Sequence, residues 1–156
     1  MASMLTVAAY ICQRYEQTYG QKIDEMKLHK LMYFAQREAL IQTEKPLFRG
    51  TFHGWKYGPI LKDIRDAYQD ESLLPRVSQK DADAMEPIMD VVFREYAGKE
   101  SMSLSRLTHG ETSWKKSRKG IAPGENSDVA MKLADIRLDA DRVRERREKL
   151  TEDGLL

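Results

Sequence analysis

The chain has 156 residues, a length suited to one domain rather than two. Its 41% hydrophobic content supports a buried core and excludes wholesale disorder, while 26 Lys plus Arg against 25 Asp plus Glu leave a net charge of +1, so bulk charge selects no partner. A single cysteine, Cys12, excludes both a disulfide framework and a cysteine-based zinc site and points to a reducing cytoplasm; no apolar run reaches the ~18 residues of a membrane helix, and no export leader is recognisable.

In chain order, Met4, Ala8, Ile11, Cys12, Tyr15 and Tyr19 recur at helical spacing between a capping Ser3 and a stop at Gly20. Asp24 caps a second helix in which Leu28, Leu31, Met32, Ala35 and Ala39 form one stripe and Tyr33, Phe34, Leu40 and Ile41 widen it past half the circumference. A helix apolar on so many sides belongs at the centre of the fold. Between Pro46 and Pro59, alternation of Phe52 with Gly54 and of His53 with Trp55 fits a short extended stretch that its glycines weaken. Gly58 supports a tight turn, and Pro59 is expected in the first turn of a third helix with Ile60, Ile64, Ala67 and Tyr68 on its apolar face.

After a linker from Asp70 to Val77, Ser78 and Asp81 resemble a capping box ahead of a stripe of Met85, Ile88, Met89, Val92, Phe93 and Tyr96, with a bend expected at Pro87 and a stop at Gly98. Two short helical pieces follow, Leu104 to Thr108 capped by Ser103 and Ser113 to Lys119 capped by Thr112, separated by Gly110. Gly120 to Gly124 reads as a linker. From Ser127 the last helix carries Val129, Leu133, Ile136, Ala140 and Val143 as a heptad seam. Eleven of the 15 residues from Asp135 to Lys149 are charged, so everything off the seam is expected in solvent. The seam can dock on its own domain or pair with a second copy or a partner chain. The expected fold is mainly α: a single-domain helical bundle over residues 1–122 with at most a short extended segment near Phe52–Trp55, plus a charged C-terminal helix over 123–156, in the same domain or as an extension.

The search for chemistry finds no nucleophile elbow, phosphate loop or zinc-binding histidine pair on one helical face. His29, His53 and His109 lie in three separate segments, so a metal site or a small hydrolase built from them is the weakest reading. Cys12 reads as a small buried thiol. The run Trp114-Lys115-Lys116-Ser117-Arg118-Lys119 fits a phosphate-binding patch with a stacking Trp, or, in the preferred reading, a solvated short helix with Trp114 turned inward. The Trp55 to Pro59 loop is either a packed turn or a rigid contact surface.

Taken together, Lys27-Leu28-His29-Lys30-Leu31-Met32-Tyr33-Phe34-Ala35-Gln36, Pro46-Leu47-Phe48, Trp55-Lys56-Tyr57-Gly58-Pro59, Tyr68, and Leu104-Ser105-Arg106-Leu107-Thr108-His109 with Trp114 and Arg118 resemble the Panacea domain, the GepA or SocA-like antitoxin family. The resemblance runs in order from about Leu5 to Arg118. It departs at Ser117, where the family usually has Ala, and in the charged last helix, which matches no shared pattern. It implies a mostly helical bacterial or phage domain, often encoded beside a toxin that it neutralises by contact, or in one branch delivers to a protease. The expectation is therefore a cytoplasmic antitoxin with a cognate toxin as partner, no catalytic residue, cofactor or metal, no membrane association, and nucleic acid binding through Lys115 to Lys119 as the lesser alternative. Trp55, Lys56, Tyr57, Gly58, Pro59, His109, Trp114 and Arg118 are the candidate contact or structural residues.

Overall fold

The computed structural model describes residues 1–71 and 75–155. In chain order come α1 (Met4–Tyr19), α2 (Glu25–Thr43), β1 (Phe52–Trp55), β2 (Gly58–Leu61), α3 (Lys62–Asp70), α4 (Gln79–Val92) running into a π-helical turn (Phe93–Ala97), α5 (Ser101–His109), α6 (Thr112–Ser117) and α7 (Leu133–Glu152). The fold is mainly α, as its sequence periodicities predict. Part of the Asp70 to Val77 linker, residues 72–74, lies outside the described residues.

Capping fixes the first two helices where the sequence places them. Ser3 accepts from the Thr6 N–H and Asp24 from the Lys27 N–H, satisfying donors that the first helical turn leaves unpaired. Gly20 ends α1 in the left-handed conformation at φ +70°. Every residue of α2 from Lys27 to Leu40 is buried, because α1, α4, α5, β2 and α7 surround it. Leu28, Leu31, Met32 and Ala35 are wholly inaccessible, and truncating one of the three large side chains to Ala costs ~2–5 kcal/mol. Helix α4 is capped by Ser78 and continues through Pro87, after which the π-helical turn stacks Tyr96 on Phe34 at 3.9 Å between ring centres.

Several expectations are corrected. Pro59 is not in a helix: β2 pairs antiparallel with β1, with Trp55 opposite Gly58, Gly54 opposite Pro59 and Phe52 opposite Leu61. Pro59 is tolerated because β2 is an edge strand, and α3 starts only at Lys62. Helix α5 starts at Ser101, two residues ahead of Ser103, and the cap position of α6 is Glu111, not Thr112. The last helix begins at Leu133, six residues beyond Ser127. The intervening segment is extended: Met131 donates to the Phe52 carbonyl at 2.8 Å and Gly54 to the Val129 carbonyl at 3.0 Å, bridging Ala130 to His53 on the free edge of β1. Backbone pairing with a distant strand outweighs a helical pattern carried by Val129 alone, which is left exposed.

Helix α7 lies against α2 and α6, with Ile136 and Ala140 of the seam buried in its own chain. Its polar face is not wholly in solvent. Asp139 is completely buried and Asp135 nearly so. Asp139 stands where α6 needs acceptors: its Oδ1 takes the Thr112 N–H at 2.8 Å and its Oδ2 the Ser113 N–H at 3.0 Å, so a carboxylate from α7 caps a helix 26 residues upstream. Around it, Arg37 donates to Glu111 at 2.7 Å and the Tyr33 hydroxyl lies 2.9 Å from Glu111 and 3.1 Å from Asp139. Burial pushes the Glu111 carboxyl above its ordinary range, against the pull of Arg37.

Candidate functional site

Residues 55–59 and 109–118 are some fifty positions apart in sequence, and the fold brings them to one place. Lys56 and Tyr57 form the two-residue turn between β1 and β2, neither with positive φ. Gly58 follows at φ +110°, which supplies the reversal that two residues in an ordinary turn conformation cannot. A Cβ there would also fall 2.5 Å from Thr108 Oγ1 and 2.8 Å from Lys30 Cε.

The turn is clamped through its carbonyl groups. The Trp114 indole N–H donates to the Trp55 carbonyl at 2.8 Å, Arg118 donates to the Gly54 carbonyl at 3.2 Å, Ser105 Oγ donates to the Tyr57 carbonyl, and Lys30 Nζ donates to the Pro59 carbonyl at 3.3 Å. Asn126 accepts from the Lys56 N–H at 3.3 Å. Behind the turn, the His109 ring stacks on Trp114 at 4.0 Å. Burial lowers the His109 pKa, favouring a neutral ring for that stack. Gly54 is required by close approach, since a Cβ would meet Ser117 Oγ at 1.9 Å.

The eight predicted residues therefore divide. Gly58, Pro59 and Arg118 are buried, Trp55, Lys56, His109 and Trp114 are half-buried, and Tyr57 stands out with 48% of its surface exposed. Trp114 is not fully inside, and its polar edge serves the hairpin. The basic run is likewise divided. Arg118 is consumed internally, also donating to the Ala122 carbonyl at 2.8 Å, and Lys116 reaches Asp135 at 3.2 Å. Lys115 and Lys119 remain exposed.

Sequence reasoning quoted Lys30 and Ser105 within the resembling motifs without making them candidates, and passed over Asn126, Arg65 and Asp139. Lys30 carries a readable clue: a lysine between Leu28 and Leu31 on a helix apolar on all sides has no way to reach solvent. Ser105 is marked by its motif alone, and Asn126, Arg65 and Asp139 give no signal, because their roles depend on contacts made across the fold. The histidines are separately used. His29 Nδ1 accepts from the Leu61 N–H at 3.2 Å, so the ring is the neutral tautomer whose Nε2–H donates to Glu25 at 3.1 Å; burial lowers its pKa, outweighing Glu25. Burial pushes the Cys12 thiol up to about 11, away from reactivity. Among the described residues, no group of three His, Cys, Asp or Glu side chains is placed to hold a metal ion, and no helix is long and apolar enough to cross a membrane.

No curated protein and no solved structure matches the chain. A family model does, that of the antitoxin SocA-like Panacea domain, over residues 28–115. That span starts on α2 and ends on α6, taking in the hairpin and the helices that clamp it. With more than half its length covered, including the whole turn and the Lys30, Ser105 and Trp114 side chains that hold it, the chain belongs to the antitoxin SocA-like, Panacea domain family.

Proposed function

We propose that the protein is an antitoxin that neutralises a toxin by direct contact, with the β1–β2 turn at the centre of the contact surface. The observation that carries this reading is the contrast at Tyr57: its ring is 48% exposed while the backbone around it is tied down from behind by Ser105, Trp114, Lys30 and Asn126. An exposed aromatic on a pre-ordered turn loses little conformational entropy on binding, the economy that makes Tyr and Trp frequent anchors of protein interfaces. Lys56 and the half-buried Trp55 flank it. A phosphate-binding reading has less support, because Arg118 and Lys116 of the basic run already have partners within the chain.

The test is expression of the neighbouring reading frame alone and then with this protein. Growth arrest relieved by co-expression, with the two proteins recovered as a complex and the toxin level unchanged, is the expected result. Relief accompanied by loss of the toxin would assign delivery to a protease instead, and a harmless neighbour would end the antitoxin reading.

A further inference from the structure

We propose that the cleft beside the β1–β2 turn, floored by Lys30, is a carboxylate pocket that receives one Asp or Glu side chain of the partner protein; this rests on the direct-contact reading above. The cleft, of about 250 Å³, has Glu25, Met26, Lys30, Trp55, Ile60 and Arg65 in its lining. That volume lies below the ~300–1,000 Å³ of small-molecule sites and suits a single side chain.

Two buried donor groups at this cleft are short of acceptors. Lys30 is 1% exposed, yet its ammonium has one carbonyl partner for three N–H groups, and among the described residues no carboxylate lies within 4 Å of it. The Trp55 indole Nε1–H is buried with no partner at all. A buried cation without a counter-ion is costly, and a carboxylate arriving from outside supplies the missing charge and acceptor together. Arg65 sits 4.9 Å over the Trp55 ring and Lys56 5.1 Å from the Tyr57 ring, adding two cations at the rim. Glu25 is the opposing charge, and its oxygens are occupied by His29 at 3.1 Å and Gln69 at 3.4 Å. Along the lining three cations face one engaged carboxylate, with Asp24 acting on Lys30 from outside it, and this balance favours an anion. The apolar walls from Met26, Ile60 and Trp55 suit an anion on an aliphatic stem over inorganic phosphate.

Burial also lowers the Lys30 pKa to about 7, so the ammonium that a carboxylate needs is present below neutrality and lost above it. The charged groups around it are Asp24 at the cap of its own helix, Glu25 and His29 on that helix, His109 on α5, Arg65 on α3 and Lys56 in the turn. Both histidines have lowered pKa values and are neutral above pH 7, which leaves Lys30 as the group that switches there.

The test is an NMR titration of the full chain with the peptide acetyl-Gly-Glu-Gly-amide, following the Lys30 Cε and Trp55 indole resonances. Saturable shifts with a Kd of about 1–10 mM at pH 6.5 are expected, the range for one side chain. Affinity should fall at least ~tenfold by pH 8.5, because each unit above the lysine pKa removes a tenfold share of the ammonium. The glutamine counterpart should not bind, Lys30→Met should lose binding ~tenfold or more, and Arg65→Gln, at an exposed rim position, should weaken it ~threefold. No shift at Lys30, equal binding by the glutamine peptide, or unchanged binding by a folded Lys30→Met protein overturns the pocket. Acetate binding as tightly as the peptide overturns its assignment to a protein side chain. No toxin is needed, so failure here leaves toxin neutralisation standing, while binding here without any neutralised neighbour removes that reading and leaves the pocket chemistry.

Discussion

Asp139 of α7 and Tyr33 of α2 meet in the core, carboxylate to hydroxyl at 3.1 Å, although 106 positions separate them. The same carboxylate caps α6, the helix that carries Trp114. The hairpin clamp therefore depends on the last helix. Asp139→Ala should cost ~3–5 kcal/mol by stranding two helix N–H groups and removing one partner of the buried Tyr33 hydroxyl. Asp139→Asn keeps one acceptor and should cost about half as much. Urea midpoints would measure both; an alanine variant within ~0.5 kcal/mol of wild type would show that α6 is capped in another way.

Lys30 makes a stability prediction of its own. Its folded pKa of about 7 lies below the unfolded value of 10.5, so the folded state resists the proton that the unfolded state holds. The penalty is complete below pH 7 and fades as pH rises from 7 to 10.5. Lys30→Met should stabilise the protein by ~1 kcal/mol or more at pH 6.5, and the gain should shrink by pH 9.5. Thermal melts of the two proteins at both values decide it. A gain that grows with pH would have the sign wrong.

Tyr57→Ala separates folding from contact. At 48% exposure the ring adds little to stability, and the variant should stay within ~0.5 kcal/mol of wild type. If the turn anchors the partner, affinity should fall by ~2 kcal/mol, about 30-fold, measured by calorimetry on the purified complex.

Gly54 and Ser117 should be coupled. A Cβ on residue 54 cannot coexist with the Ser117 side chain 1.9 Å away, so Gly54→Ala should cost ~1–3 kcal/mol as α6 is displaced. Adding Ser117→Gly should recover part of that loss. Strict additivity in the double-mutant cycle would refute the contact.

His29 predicts acid sensitivity. Its lowered folded pKa means that neutral-ring stability is full above the ordinary value of 6.5 and drains away as pH falls below it. His29→Gln, which keeps a donor and an acceptor, should flatten that part of the pH profile in chemical denaturation. An unchanged slope would place the sensitivity elsewhere.

The amino-acid sequence by itself determined the helices with strong local signatures: Ser3 and Gly20 around α1, Asp24 and a many-sided apolar surface for α2, and Ser78 for α4. Caps and apolar periodicity act within one or two turns, so adjacent residues decide them. It also placed the turn, and Trp114 and Arg118 of the side chains that clamp it, among the candidates, because dense Trp, Tyr, Gly and Pro mark unusual backbone demands. Only the tertiary structure decided that Pro59 lies in a strand, that 129–131 extends along β1 instead of opening α7, and that Asp139 leaves solvent to cap another helix. Each of these is settled by a hydrogen-bond partner tens of residues away, whose satisfaction in the interior outweighs local preference, and no spacing rule along the chain names that partner.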